Sequence, residues 1–340
     1  MGRKIKQNKI TSPEKTKRIN KNNLRLIEDF LAYLKSIKRS DGTISGYRSD
    51  LLIIMTFILD NYDNKDFTKL TKRDIIGLQN IMIENGNSSA RIRRLKAAMS
   101  SLSNFVENVV ADDDPELKDY RPIVRKIENP PLESVQEKTV MSSEEVESLL
   151  GKLTEMEEHE KACFVALAAY GGRRKAELLR FKISDFGDDH IVCDGALYRS
   201  DPILTKGNKM LSCYTLAKKF KPYLDAWIAE RERLGIESEW LFPERDNPAE
   251  HRSISTVNSW AKTMSRLSGR DFYVHLLRHH FCTECSRAGL PDGAIVEMIG
   301  WADASLLRST YLDLSTEETL GKYFKDGDID ASGVKNIGDI

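Results

Sequence analysis

Near the C-terminal end of this 340-residue chain, the stretch "VHLLRHHFCTECSRAGLPDGAIVEMIGWADASLLRSTYLDLS" sets His275 three residues ahead of Arg278 and follows them with Trp301 and Tyr311. A helix turns once per ~3.6 residues, so His275 and Arg278 leave the same side one turn apart, two donors with no acid between them. They stand beside the apolar stripe Leu277, Phe281, Cys285 and Ala288, which makes them partly buried at a working surface. Upstream, Arg174 follows Gly171 and Gly172 at a helix start, where exposed backbone N–H groups favour an anion. Lys206 lies in "LTKGNKM", the composition of a tight hairpin tip.

Two arginines, a lysine, a histidine and a tyrosine without a carboxylate cluster suit one chemistry in particular, phosphoryl transfer. Guanidiniums can hold the non-bridging phosphate oxygens bidentately where other enzymes use magnesium, so no metal or cofactor is expected. A tyrosine hydroxyl, with an ordinary pKa of about 10, becomes a nucleophile when neighbouring cations favour its phenolate. A lysine can protonate the sugar oxygen that leaves. The phosphotyrosine ester formed is similar in energy to the phosphodiester it replaces, so a strand can be rejoined without ATP.

The elements that must position these residues fall into two groups. "NNLRLIEDFLAYLKSI", "TISGYRSDLLIIMTFILDNY" and "TKRDIIGLQNIMIENG" repeat apolar residues at helical spacing, with Thr43 and Thr71 as N-caps and Gly86 as a stop. "SSARIRRLKAAMSSLSNFVENVV" is a further helix whose opening turns carry Arg91, Arg93, Arg94 and Lys96, with no acid until Glu107; these four are candidate phosphate contacts. Residues 111–138 turn acidic, hold four of the ten prolines and show no sustained period, as a linker does. "TVMSSEEVESLLGKL" opens a second domain, capped at Ser142 or Ser143. Beyond it come an apolar helix ending in two glycines, another helix beginning in "RRKAELLRFKISDF", strand-like runs around the hairpin, a long helix, a loop and helices to the end.

Composition narrows the class. Lys plus Arg and Asp plus Glu both number 52, so net charge alone does not point to a polyanion. The first 23 residues, however, hold eight basic residues against one Glu and read as a solvated basic arm that is also a candidate DNA contact. No apolar leader and no run of ~20 apolar residues is present, so a cytoplasmic protein with no membrane partner is expected. Five cysteines, an odd number and all in the second domain, suit reduced thiols. Cys282 and Cys285 form a CxxC without a second pair at zinc-site spacing, which argues against a metal site.

Taken in order, these boxes resemble the tyrosine recombinases of the phage-integrase family, over roughly residues 22–325. "GGRRKAELLRFKISDF" is similar to the first arginine box, Arg-x-x-Glu-Leu, which selects Arg174 over Arg173 and adds Glu177 as a supporting acid. "LTKGNKMLSCYTL" resembles the hairpin with the catalytic lysine, at Lys206 or, as an alternative, Lys209. "HLLRHHF" is similar to the His-x-x-Arg-His box, giving His275 and Arg278 with His279 in support. "IGWADASLLRSTYLDLS" resembles the closing motif, giving Trp301, where the family more often has His, and Tyr311 as nucleophile. The Trp301 to Tyr311 gap is one residue longer than the common spacing, with Tyr323 as the other candidate. "LFP" at 241–243 also fits.

The resemblance implies a mainly α fold with a small antiparallel β-sheet. Its parts are a basic arm (1–22), a helical, SAM-like core-binding domain (23–112), a linker (113–139), an α+β catalytic domain (140–325) and a tail (326–340). It implies a clamp on double-stranded DNA, cleavage through a 3′-phosphotyrosine, and strand exchange in a homotetramer from a free monomer or dimer. Integration or excision of a mobile element, with an accessory or directionality factor, is the implied role. The alternatives are a type IB topoisomerase-like relaxing enzyme and a non-cutting DNA-binding regulator. The segment after Tyr311, "LSTEETLGKYF", is amphipathic and is implied to dock on its own or a neighbouring subunit.

Overall fold

The computed structural model describes residues 11–131, 140–205, 209–300 and 307, and the backbone of 324–325 and 328–329. Its contacts divide the chain into two units, Met1–Glu137 and Lys138–Ile340. The first is helical: α1 (Pro13–Arg18), α2 (Lys21–Ser36), α3 (Asp41–Asn61), α4 (Lys72–Glu84) and α5 (Ser89–Phe105), which continues through a π-turn (Val106–Val110) into the single turn α6 (Ala111–Asp113). Thr71 caps α4 in a reciprocal box with Asp74, and Gly86 follows its end at φ 72°. The cap of α3 is Ser40, three residues before Thr43, whose N–H Ser40 accepts. Phe30, Leu51, Ile54, Ile75, Leu95 and Leu102 meet in the core of this unit.

Two boundaries differ from the sequence reading. The arm proposed for residues 1–22 is folded from Ser12 onward. Ser12 caps α1 with Pro13 at its first position, Ile19 is buried in the core, and Asn20 caps α2. The linker proposed for 113–139 is structured over its first part, because Tyr120, Ile123 and Val124 are buried in the same core and Tyr120 donates to Ser103. Acidic, proline-rich composition masked three apolar anchors.

The second unit begins with α7 (Ser143–Glu155), capped by Ser142 in a box with Glu145. Next comes α8 (His159–Gly171), apolar on every face and buried from Ala162 to Gly171, as a helix surrounded by others must be. The short α9 (Lys175–Leu178) precedes five strands: β1 (Ile191–Val192), β2 (Leu197–Arg199), β3 (Ile203–Thr205), β4 (Lys209–Leu211) and β5 (Tyr214–Leu216). They form an antiparallel sheet ordered β1-β2-β5 and a separate hairpin β3-β4. The helices α10 (Ala217–Arg233), α11 (Ile254–Ser268), α12 (His275–Arg287) and α13 (Asp292–Ile299) follow, with β6 (Phe324–Lys325) paired to β7 (Asp328–Ile329). Around α8 pack α7, α10 and α12. Leu241 and Phe242 of the "LFP" run are buried beside α10, whose Arg231 donates to the Trp240 and Leu241 carbonyls. The architecture is mainly α with small antiparallel sheets.

Candidate active site

The first arginine box is placed by the end of α8. Gly172 caps that helix in the left-handed region, φ 62°, and a Cβ there would meet the Phe281 ring at 2.3 Å, so only glycine fits. This tight turn carries Arg174 to the start of α9. Its backbone N–H donates to Glu177 Oε2 at 3.1 Å, and its Nη1 donates to Glu177 Oε1 at 2.9 Å. Glu177 is buried, while the Arg174 side chain keeps 30 % of its surface. A buried carboxylate thus aims a part-exposed guanidinium, the arrangement suited to a bidentate anion contact.

His275 opens α12, and Arg278 follows one turn later. The Arg278 side chain is fully buried, 0 % exposed; its Nη1 donates to the Gly172 carbonyl at 2.9 Å, with Nη2 at 3.5 Å from the Ile299 carbonyl. One guanidinium therefore joins the arginine-box turn to the C-terminal end of α13. His275 keeps an open side, yet partial burial, followed by its neighbours His279, Arg278 and Arg174, pushes its pKa down to about 4. His275, Arg278 and Arg174 share one electrostatic neighbourhood. The His279 ring stands edge-on to His275 with centroids 5.4 Å apart. His280 faces the other way, with Nδ1 2.9 Å from the Met141 carbonyl.

A pH dependence follows from the sign of that shift. Because the folded pKa of His275 lies below the ordinary 6.5, the unfolded chain binds more protons between those values. The stabilising contribution is complete above about pH 6.5 and is lost as the pH falls toward 4. The melting temperature should drop across that interval, and His275→Gln should flatten the drop. An unchanged slope in the variant would show that His275 does not titrate there.

Lys206, Trp301, Tyr311 and the alternative Tyr323 lie outside the described residues. Their flanks are placed. Thr205 and Lys209 pair across β3-β4, with the Thr205 hydroxyl donating to the Lys209 carbonyl at 3.0 Å. Gly300 ends α13 at φ 69°, immediately before Trp301. Leu307, four residues ahead of Tyr311, is fully buried with Phe281, Cys282, Cys285 and Ile295. Those two cysteines are apolar core residues, and no metal-holding cluster of His, Cys, Asp or Glu occurs among the described residues. No helix of the described residues is long and apolar enough to cross a membrane.

The four basic residues of α5 divide. Arg91 Nη1 and Arg94 Nε each sit 2.7 Å from the carboxylate of Asp50, a buried acid of α3. Arg94 remains the most exposed of them, at the edge of a shallow cleft of about 260 Å³ lined by Gly42, Gly46 and Tyr47. Arg93 donates through Nε and Nη2 to the Pro130 carbonyl. Lys96 is only 4 % exposed and donates to Gln79 Oε1 and to the carbonyls of Ile127 and Glu128. Its assignment to DNA phosphate is corrected: the ammonium is enclosed and holds the chain that leaves the unit. Sequence reading also passed over Asp50 and Arg173. Asp50 lies on another helix, and the partners that enclose Arg173, Ser212 and Gly300, are distant in the chain.

The sequence of residues 139–318, just over half the chain, matches the phage integrase family model. The chain is 28 % identical to the SPbeta prophage-derived recombinase-like protein YomM of Bacillus subtilis, over 81 % of this chain and 83 % of that one. It is 27 % identical to the tyrosine recombinase XerD of Oceanobacillus iheyensis, over 82 % and 90 %. The fold is shared with a lambda integrase tetramer bound to a Holliday junction, at a TM-score of 0.63 and 16 % identity, covering 89 % of this chain and 81 % of that one. With its arginine boxes, hairpin and closing segment in that order on that fold, the chain is a tyrosine recombinase and belongs to the phage integrase family.

Proposed function

We propose that this tyrosine recombinase cuts and rejoins duplex DNA at a specific site through a 3′-phosphotyrosine, without metal or ATP, in the integration or excision of a mobile element. The observation that carries the reading is that Arg278 donates to the Gly172 carbonyl in the turn that delivers Arg174, with His275 one helical turn ahead of Arg278 and Arg174 aimed by Glu177. Arg174 and Arg278 bind the non-bridging oxygens of the scissile phosphate. His275, neutral at physiological pH, and the Trp301 indole N–H complete the cradle. Tyr311 attacks phosphorus as the O5′ bond breaks, and Lys206 gives that oxygen its proton. Attack by a 5′-hydroxyl from a partner strand reverses the step and frees the tyrosine. Four copies on two duplexes pass strands through a Holliday junction, and Arg91 and Arg94 contact the DNA backbone from the first unit.

The test is a capture experiment on a pool of duplexes with randomised arms and a bridging sulfur in place of O5′ at the central step. The full-length protein should yield SDS-resistant adducts whose sequences converge on one site, and no adduct refutes the reading. Plasmid relaxation without exchange between partner duplexes would move the assignment to a relaxing enzyme. On the captured site, Lys206→Ala should slow cleavage of the ordinary oxygen substrate by on the order of 10²-fold. The sulfur substrate should restore its rate, because a thiolate (pKa of about 8.5 as a thiol) leaves without a proton. Equal losses on both substrates would remove Lys206 from the acid role.

A further inference from the structure

We propose that Arg173 is a positioning residue of this site: a buried guanidinium, without a counter-charge among the described residues, that joins the hairpin exit to the Gly172 and Gly300 turns and holds positive potential beneath the phosphate cradle. The inference rests on the reading given under Proposed function. Arg173 directly precedes Arg174 and is 1 % exposed. Its Nη2 donates to the Ser212 carbonyl, between β4 and β5, at 2.6 Å. Among the described residues, Nε and Nη1 have no hydrogen-bond partner and no carboxylate pairs with Arg173. Nη1 lies so close to Gly300 that a Cβ there would come within 2.5 Å of it. The positive φ and this close approach both require glycine just ahead of Trp301.

Arg278 reaches the same two turns, through Gly172 and Ile299. Two buried guanidiniums thus converge where α13 ends, and the carbonyl end of a helix favours cations. The nearby Cys213 thiol is pushed up to about 11 by burial, against the opposing pull of the Arg173 charge. That thiol is only a weak acceptor.

A leucine or methionine would fill this position without desolvating a charge, and replacing buried ions by apolar residues of similar volume is often neutral or stabilising. A fold that keeps the arginine therefore carries a local cost, which an anion bound alongside would offset. In surroundings of low dielectric the field of Arg173 reaches farther than that of a surface cation. It would act on the phosphate and on the phenolate that attacks it, without touching either.

The experiment compares wild type, Arg173→Met and Arg173→Lys as full-length chains on the captured duplex, measuring single-turnover adduct formation at saturating DNA from pH 6 to 9, together with melting. R173M should lose about 10- to 100-fold in rate with an unchanged half-saturating DNA concentration. Its alkaline limb should move to higher pH, and its melting temperature should equal or exceed that of wild type. R173K should recover part of the rate. An R173M protein that cleaves like wild type, melts well below it, or is no slower than R173K overturns the inference. If wild type forms no adduct, the parent reading fails and this one with it; if wild type does and R173M matches it, only this one fails.

Discussion

Replacing Tyr311 by Phe is expected to end covalent attachment to DNA, with a loss on the order of 10⁴-fold or more, because the ester bond has no other oxygen to form on. The substitution removes one hydroxyl and keeps the ring, so folding and DNA binding should persist. Leu307, four residues upstream in sequence, is buried in one cluster with Phe281, Cys282 and Cys285 of α12, the helix that carries His275 and Arg278. The measurement is the SDS-resistant adduct on the captured duplex, beside a mobility shift showing that the variant still binds. An adduct undiminished in Y311F, with the labelled peptide containing Tyr323, would transfer the nucleophile to that residue.

Arg278→Met should lower the single-turnover cleavage rate by about 10³-fold, the scale on which removing a preorganised charge donor acts. Unlike the change at Arg173, whose lost acceptor, the Ser212 carbonyl, is only part-buried and can turn to water, it should also lower stability, by roughly 1–3 kcal/mol, since the buried carbonyl of Gly172 loses its donor. Arg278→Lys should not restore the rate. One ammonium cannot span the carbonyls of Gly172 and Ile299 while also meeting a phosphate in a fork. Rates would be taken well below the melting temperature of each variant, with DNA affinity determined separately. R278M cleaving within tenfold of wild type would exclude Arg278 from the phosphate cradle.

Local chemistry was legible in the sequence wherever one short stretch contains its own cause. Thr71 with Asp74 and Ser142 with Glu145 are reciprocal caps written within four residues, and both begin helices as expected. The hairpin flanking "KGN" and the helical turn from His275 to Arg278 are likewise local. What escaped was decided across the chain. Arg91 and Arg94 of α5 looked unopposed because their acid, Asp50, sits on α3. Arg173 was set aside in favour of Arg174, and its enclosure by Ser212 and Gly300, both distant in the chain, is not written in its own box. The expected longer helix after Arg174 stops at Leu178, where the chain turns toward the sheet.

The hold of Arg93 and Lys96 on the Ile127, Glu128 and Pro130 carbonyls has a practical consequence for dividing the chain. Composition would invite a cut at the acidic run near Asp113, but a fragment ending there would forfeit Tyr120, Ile123 and Val124 and leave Lys96 a buried ammonium deprived of two acceptors. Truncation instead belongs after Pro131, beyond the last of these bonds, where an isolated N-terminal fragment keeps its interior dry and its lysine satisfied.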